Sequence, residues 1–180
     1  MNLLMRSSRP KKTTGIKPDF GGQGMSDNEL FLTAILNCNR SELYTHPVRL
    51  NDEQKASLAS MIQRRSAGEP VQYICGFTEF IGHRIEVGNG GLVPRPETEI
   101  LVDTVIQQLK ERFPVNPFVL DIGTGSGAIP IALVKGVPGC LAWGVDISPE
   151  ALRFAHRNAA INAVSDRLLF IERDVFRFID

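Results

Sequence analysis

Phe118-Val119-Leu120-Asp121-Ile122-Gly123-Thr124-Gly125-Ser126-Gly127-Ala128 is the stretch whose reading decides the fold. Phe118 to Ile122 is a short apolar run of strand length. Ala128 to Val134 continues as a helix, with Pro130 in its first turn, where a missing N–H is tolerable. Glycines placed between a strand and a helix permit a tight turn and a close backbone approach to a ligand. The helix that follows aims its free N–H groups at that ligand. An acidic residue, Asp121, opens the motif, and the glycines alternate strictly as G-x-G-x-G. That spacing departs from the dinucleotide fingerprint G-x-G-x-x-G.

Downstream the pattern repeats. Leu141 to Val145 reads as a second strand, ending at Asp146. Ser148 caps the next helix, Pro149 takes its first position, and Leu152, Ala155, Ala159 and Ile161 line it. Leu168 to Ile171 is a third strand, followed by Glu172-Arg173-Asp174-Val175. Apolar strands alternating with helices imply an α/β fold with a parallel sheet, covered on both faces. The strand ends share one edge, where open α/β folds bind ligands. A carboxylate about 20 residues past the loop, here Asp146, is placed to accept hydrogen bonds from ribose hydroxyls. The set suits an adenosyl ligand whose other end is an amino acid, with Asp121 facing the cationic end. The plainer alternative for Asp121 and Asp146 is helix capping.

Upstream, residues 1–24 read as a flexible extension, with Arg6, Arg9, Lys11, Lys12 and Lys17 against Asp19 and no apolar core of a secretory signal. Met25 is an alternative natural start. Ser26 with Glu29, and Asn51 with Gln54, form capping boxes that open two helices. Leu58, Met61 and Ile62 face inward on the second, and Gly68 ends it. Residues 25–72 are therefore a small helical domain, and 73–93 a β-hairpin connector with Gly82-His83 between two strand-forming runs. Gly88, Gly90 and Gly91 mark a flexible joint. The third unit is 94–180, entered by a helix with Pro96 at its first position, Glu97 and Glu99 at its positive end, and Leu101, Val105 and Leu109 on one face.

The 180 residues are 43% hydrophobic and 22% charged, with formal net charge +0. That balance gives no whole-chain reason to expect nucleic-acid or membrane partners, and no apolar run approaches the roughly 18–20 residues of a membrane span. Cys38, Cys75 and Cys140 are dispersed, without metal-ligand spacing, as in a reduced cytoplasmic protein.

An ordered set of motifs resembles one family. Gly68-Glu69-Pro70-Val71-Gln72-Tyr73-Ile74-Cys75-Gly76, Phe80-Ile81-Gly82, Leu92-Val93-Pro94-Arg95-Pro96-Glu97-Thr98-Glu99, Asp121 to Gly127 and Asp146-Ile147-Ser148-Pro149-Glu150-Ala151-Leu152 look like the HemK/PrmC protein-(glutamine-N5) methyltransferases. The resemblance covers residues 26–180. It implies a helical N-terminal domain, a hairpin connector and a class I, Rossmann-like methyltransferase domain that uses S-adenosylmethionine. By resemblance, Asp121, Gly123, Thr124, Gly125, Ser126, Gly127 and Asp146 bind that cofactor, with Asp174 and Val175 beside the adenine. Arg95, Glu97 and Glu99 are motif positions whose preferred role is capping and domain packing. The implied substrate is the side-chain amide of the glutamine in the Gly-Gly-Gln loop of class I peptide chain release factors.

The family grips that amide with an Asn-Pro-Pro-Tyr motif, which these 180 residues lack. No catalytic residue is therefore expected in this chain, the methyltransferase domain is expected to be incomplete, and the polypeptide alone is expected to be inactive. An open sheet edge would favour self-association. Gly21-Gly22-Gln23 repeats the substrate tripeptide, and chance occurrence in a Gly-rich linker is the preferred account. The alternatives are a nucleic-acid base amino-methyltransferase, disfavoured by the lack of a basic stripe, and a non-catalytic binding protein.

Overall fold

The computed structural model describes residues 26–178 apart from Asn39, His46 and Pro114. The N-terminal extension, with Gly21-Gly22-Gln23, lies outside the described residues.

Both capping boxes form. Ser26 Oγ accepts the Glu29 N–H and Glu29 Oε2 accepts the Ser26 N–H, opening α1 (Asp27–Leu36). Asn51 and Gln54 do the same for α3 (Asp52–Ser66). Gly68, at φ +89°, ends α3: its N–H reaches the Arg65 carbonyl and the Glu69 N–H reaches the Arg64 carbonyl. Two short helices escape the sequence pattern, α2 (Arg40–Thr45) and α4 (Val71–Cys75). Asp27 and Arg65, 2.6 Å apart, tie α1 to α3.

The hairpin pairs β1 (Phe77–Phe80) with β2 (His83–Glu86). Its turn is Ile81-Gly82, not Gly82-His83; His83 is already in β2, opposite Phe80. Ile81 and Gly82 have φ of +49° and +67°, the two left-handed residues of a tight hairpin turn. A β-branched residue is costly there, so local sequence preference points one residue too late. The Glu99 carboxylate accepts the Ile81 N–H at 3.1 Å and helps hold the turn, which is a packing role for this motif residue.

Glu99 lies on α5 (Pro96–Arg112). The face of α5 that meets the core runs through Val102, Val105, Ile106 and Leu109, whereas Leu101 is exposed. Beyond it come β3 (Phe118–Ile122), α6 (Ala128–Gly136), β4 (Leu141–Asp146), α7 (Pro149–Ile161) and β5 (Leu168–Glu172). The sheet is parallel, in the order β3-β4-β5. Hairpin residues Phe80, Ile85 and Val87 share one core with Val102, Ile131, Ala155 and Phe170.

A sheet covered on both faces is expected; among the described residues, helices cover one face only. Register aligns Val119, Ala142 and Leu168 on one face, with Asp121, Gly144 and Phe170 behind them. α6 and α7 pack on that face. The opposite face carries Phe118, Leu120, Ile122, Leu141, Trp143 and Leu169, all about half exposed. The reason is topological. Each crossover moves one strand in the same direction, and crossovers of one hand then lay every connecting helix on the same side. Apolar alternation in the strands reports two faces to be buried; it does not say which elements bury them. Ile161, expected on the inner stripe of α7, is likewise exposed. No helix among the described residues is long and apolar enough to cross a membrane.

The two faces should respond differently to substitution. Ile131→Ala, at a fully buried site, should cost about 2–5 kcal/mol in chemical denaturation. Leu120→Lys on the bare face should change stability by under about 1 kcal/mol and reduce light scattering of concentrated protein.

Candidate functional site

The glycine loop leaves β3 at Asp121-Ile122 and enters α6 at Ala128. Gly123, Gly125 and Gly127 all have positive φ, at +76°, +56° and +77°. An L side chain is strained at each of these positions. Above Gly123 a β-carbon would meet no atom within 4 Å, and above Gly125 only the Gly123 carbonyl at 4.0 Å. Open space over a left-handed backbone is what a ligand needs to approach it. Gly127 has a different reason to be glycine: a β-carbon there would press on Ala155 at 3.1 Å and Phe170 at 3.2 Å. It lets α6 close against α7 and β5.

The end of β4 holds the loop. The Val145 carbonyl accepts the N–H groups of Gly123 (2.7 Å) and Thr124 (3.0 Å). Next to it, Asp146 accepts the Gly125 N–H on Oδ2 (2.8 Å) and the Ser148 N–H on Oδ1 (2.9 Å). Ser148 in turn caps α7 by accepting the Ala151 N–H. Asp146 thus orders both the loop and the helix start, and each carboxylate oxygen keeps acceptor capacity for a ligand hydroxyl.

Asp121 contrasts with it. Oδ2 of Asp121 and Oγ1 of Thr124 are buried without a partner in hydrogen-bond geometry. Burial pushes the Asp121 carboxyl above its ordinary value; the nearby Thr124 hydroxyl opposes the shift and the Asp146 charge adds to it. A desolvated anion with an unfilled acceptor is a place for a cation or a donor.

Asp174 and Val175 follow β5, with Asp174 at a cleft of about 620 Å³ lined by Ile147, Glu172, Arg173, Asp174 and Arg177. The Arg173 N–H bonds the Asp146 carbonyl at 3.0 Å, so the cleft adjoins the Asp146 end of β4. Asp174 accepts the Phe176 N–H and pairs with Arg177 at 3.5 Å. The structure therefore gathers Asp121, Gly123 to Gly127, Asp146 and Asp174 along one sheet edge. Val175 is half-buried and does not line the cleft.

Two residues escape the sequence reading. Ile147 is 65% exposed and lines the cleft; an apolar residue between two capping positions is its signal. Asn158 is fully buried on α7, and its signal is a carboxamide within a stripe of Ala and Leu. The glycines at 88–91 are not a loose joint. Gly88 and Gly91 form a bridged turn against the Phe154 ring. The cysteines lack activating surroundings: burial raises all three thiols, Cys75 to about 11.

Comparison with known proteins adds independent observations. Residues 24–76 match the model of the PrmC N-terminal domain. Residues 101–178 match that of ribosomal protein L11 methyltransferase (PrmA). Three curated relatives, each named release factor glutamine methyltransferase, are similar. The Rhodopirellula baltica protein is 41% identical over 153 residues, 83% of this chain and 52% of the relative. The Thermodesulfovibrio yellowstonii protein is 38% identical over 142 residues, 79% of this chain and 50% of the relative. The Koribacter versatilis protein is 46% identical over 133 residues, 73% of this chain and 47% of the relative. The chain belongs to the HemK/PrmC family. It spans about half the length of the curated relatives it matches.

The Asp121 environment gives a pH signature. With its folded value raised above the ordinary 3.8, the folded state binds the extra proton, so stability falls as pH rises through the interval between the two values and stays lower above it. Asp121→Asn removes the charge and offers an amide donor to the Thr124 hydroxyl. Thermal unfolding at pH 7 should show it more stable by about 1 kcal/mol, with the fall across that acidic interval reduced.

Proposed function

We propose that this chain carries the cofactor-binding half of an S-adenosylmethionine-dependent methyltransferase acting on the glutamine amide in the Gly-Gly-Gln loop of class I peptide chain release factors. The observation that carries the reading is the loop itself: three left-handed glycines, two of them open above, flanked by a carboxylate with one unfilled oxygen and by a ribose-ready one. The match to relatives bearing that activity in their names supports it.

The residues present fit the cofactor. The unfilled Asp121 Oδ2 suits the cationic amino-acid end. Asp146 retains lone pairs for ribose hydroxyls while its existing bonds keep it oriented. Asp174, with Ile147, borders a cleft for the adenine, and Val175 follows Asp174 without lining that cleft. When bound, the sulfonium supplies a methyl group already activated for transfer. An amide nitrogen is a poor nucleophile because its lone pair is delocalised into the carbonyl. Transfer then depends on holding it in line with the methyl–sulfur bond. The Asn-Pro-Pro-Tyr motif that grips this amide in the family does not occur in these 180 residues, so the reading gives this chain cofactor binding and leaves the grip to that motif. The helical part, α1 to α4, is assigned to release-factor contact. A cytoplasmic location follows from a substrate engaged in translation termination. Self-association through the edge of β3 belongs to the same reading.

Calorimetric titration with S-adenosylhomocysteine tests it. Saturable one-site binding is expected, weakened at least tenfold by Asp146→Ala, which also frees the Gly125 amide. Gly125→Ala should weaken binding by a similar factor through backbone strain of about 1 kcal/mol or more. Absence of binding by the parent chain would sink the reading.

A further inference from the structure

α7 carries one polar side chain in its buried stripe. Ala151, Leu152, Ala155 and Ala159 pack into the core, and Asn158 lies among them with no exposed surface. Its carboxamide is used three times. Nδ2 donates to the Ser126 carbonyl at 2.9 Å and to the Glu86 carbonyl at 3.0 Å, and Oδ1 accepts the Glu86 N–H at 2.7 Å.

The pair of bonds to Glu86 resembles strand pairing. Glu86 ends β2, which has β1 on one side. On the other side the Asn158 amide, a donor and an acceptor on one planar group, stands in for a peptide. The remaining N–H of the same group holds Ser126, inside the glycine loop. One side chain therefore joins the connector hairpin to the loop. Neighbours on α7 anchor the same connector: Asn162 Nδ2 donates to the Arg84 carbonyl at 2.9 Å, Arg157 pairs with Glu86 at 3.5 Å, and Phe154 packs on Gly88 and Gly91.

We propose that Asn158 is a positioning residue that fixes the ligand-receiving conformation of the glycine loop by clamping Ser126 to the docked hairpin. No other residue type of this size offers both donors and the acceptor. Leucine leaves three buried backbone groups unsatisfied, and aspartate opposes two carbonyl oxygens with its own. Through this clamp, whatever shifts the hairpin alters the loop, and a ligand on the loop steadies the hairpin, because such coupling is reciprocal. The significance for the cofactor rests on the function proposed above; the clamp itself does not.

Hydrogen exchange on the full ligand-free chain tests the clamp. The comparison is between the parent, Asn158→Ala, and Val164→Ala, a control at a fully buried position of the same core that belongs to neither the glycine loop nor the hairpin. Expected is at least tenfold faster exchange at residues 123–127 and 84–87 in Asn158→Ala. The control should lose stability without selective change at the loop. Asn158→Asp keeps the shape and the acceptor but loses both donors; it should loosen the same segments and serves where the alanine variant does not fold. Calorimetry with S-adenosylhomocysteine then reads affinity: a loss of at least tenfold in the Asn158 variants and under twofold in the control is expected. Loop exchange in a folded Asn158 variant that matches the parent, or that rises no more than in the control, overturns the proposal. A parent chain that binds no S-adenosylhomocysteine overturns the cofactor reading alone, since the exchange comparison still decides the clamp.

Discussion

The Val145 carbonyl accepts two consecutive amides, Gly123 and Thr124, while Asp146 beside it takes the next glycine, Gly125. Three N–H groups of the loop are thus bound by the last two residues of β4. The chain can bend tightly enough to present them only because its glycines adopt left-handed backbone angles. The rest of the site depends on this anchorage. It sets the start of α6, brings Asp121 and Asp146 to the same edge, and leaves the space above Gly123 and Gly125 clear. The parallel pairing of β3 with β4 is what delivers the Val145 carbonyl to the loop.

The same pairing explains the asymmetry of the sheet. Moving from β3 to β4 to β5 with crossovers of one hand places α6 and α7 together. Gly144 sits on that inner face because anything larger would collide with Phe170 and Thr124 at 2.7 Å. Across the sheet, Phe118 and Trp143 meet edge-on at 5.2 Å, in an aromatic geometry typical of cores, yet both are about half exposed. Fully burying such a side chain contributes roughly 1.5–3 kcal/mol. The six large side chains of this face therefore represent several kcal/mol of burial not realised within the described residues, and the patch is a surface with a strong tendency to be covered.

What is legible in the sequence follows from where the constraints are local. The Asp121 to Gly127 loop can be read because alternating glycines in a strand-to-helix turn serve backbone freedom and little else. The capping boxes at Ser26 and Asn51 can be read because donor and acceptor lie three residues apart. The Ile81-Gly82 turn is harder to place because its stabilising partner, Glu99, is 18 residues away. Asn158 shows locally only that a carboxamide interrupts an apolar stripe; what it bonds is not legible, because its partners are Glu86, 72 residues earlier, and Ser126, 32 earlier. On α5 the expected Val105 and Leu109 do meet the core, but Val102 completes that face in place of its equally apolar neighbour Leu101, a choice set by packing and not by residue type. Cover for the second sheet face cannot be read from strand composition, which does not specify a neighbour.

Asp121 shows why the site differs from ordinary packing. A structural carboxylate at a strand end would be satisfied by local amides, as Asp146 is. Asp121 instead sits beside a second acid with one oxygen buried and unfilled, and its charged form is disfavoured by that burial. Such an arrangement lowers the stability of the free fold and is sustained only because the surrounding β3 and α6 over-determine the backbone. A cationic donor placed in the gap would offset that cost, since a desolvated anion interacts more strongly than one in water. The two acids therefore differ in kind: Asp146 shapes the loop through bonds already made, and Asp121 keeps one buried oxygen unfilled.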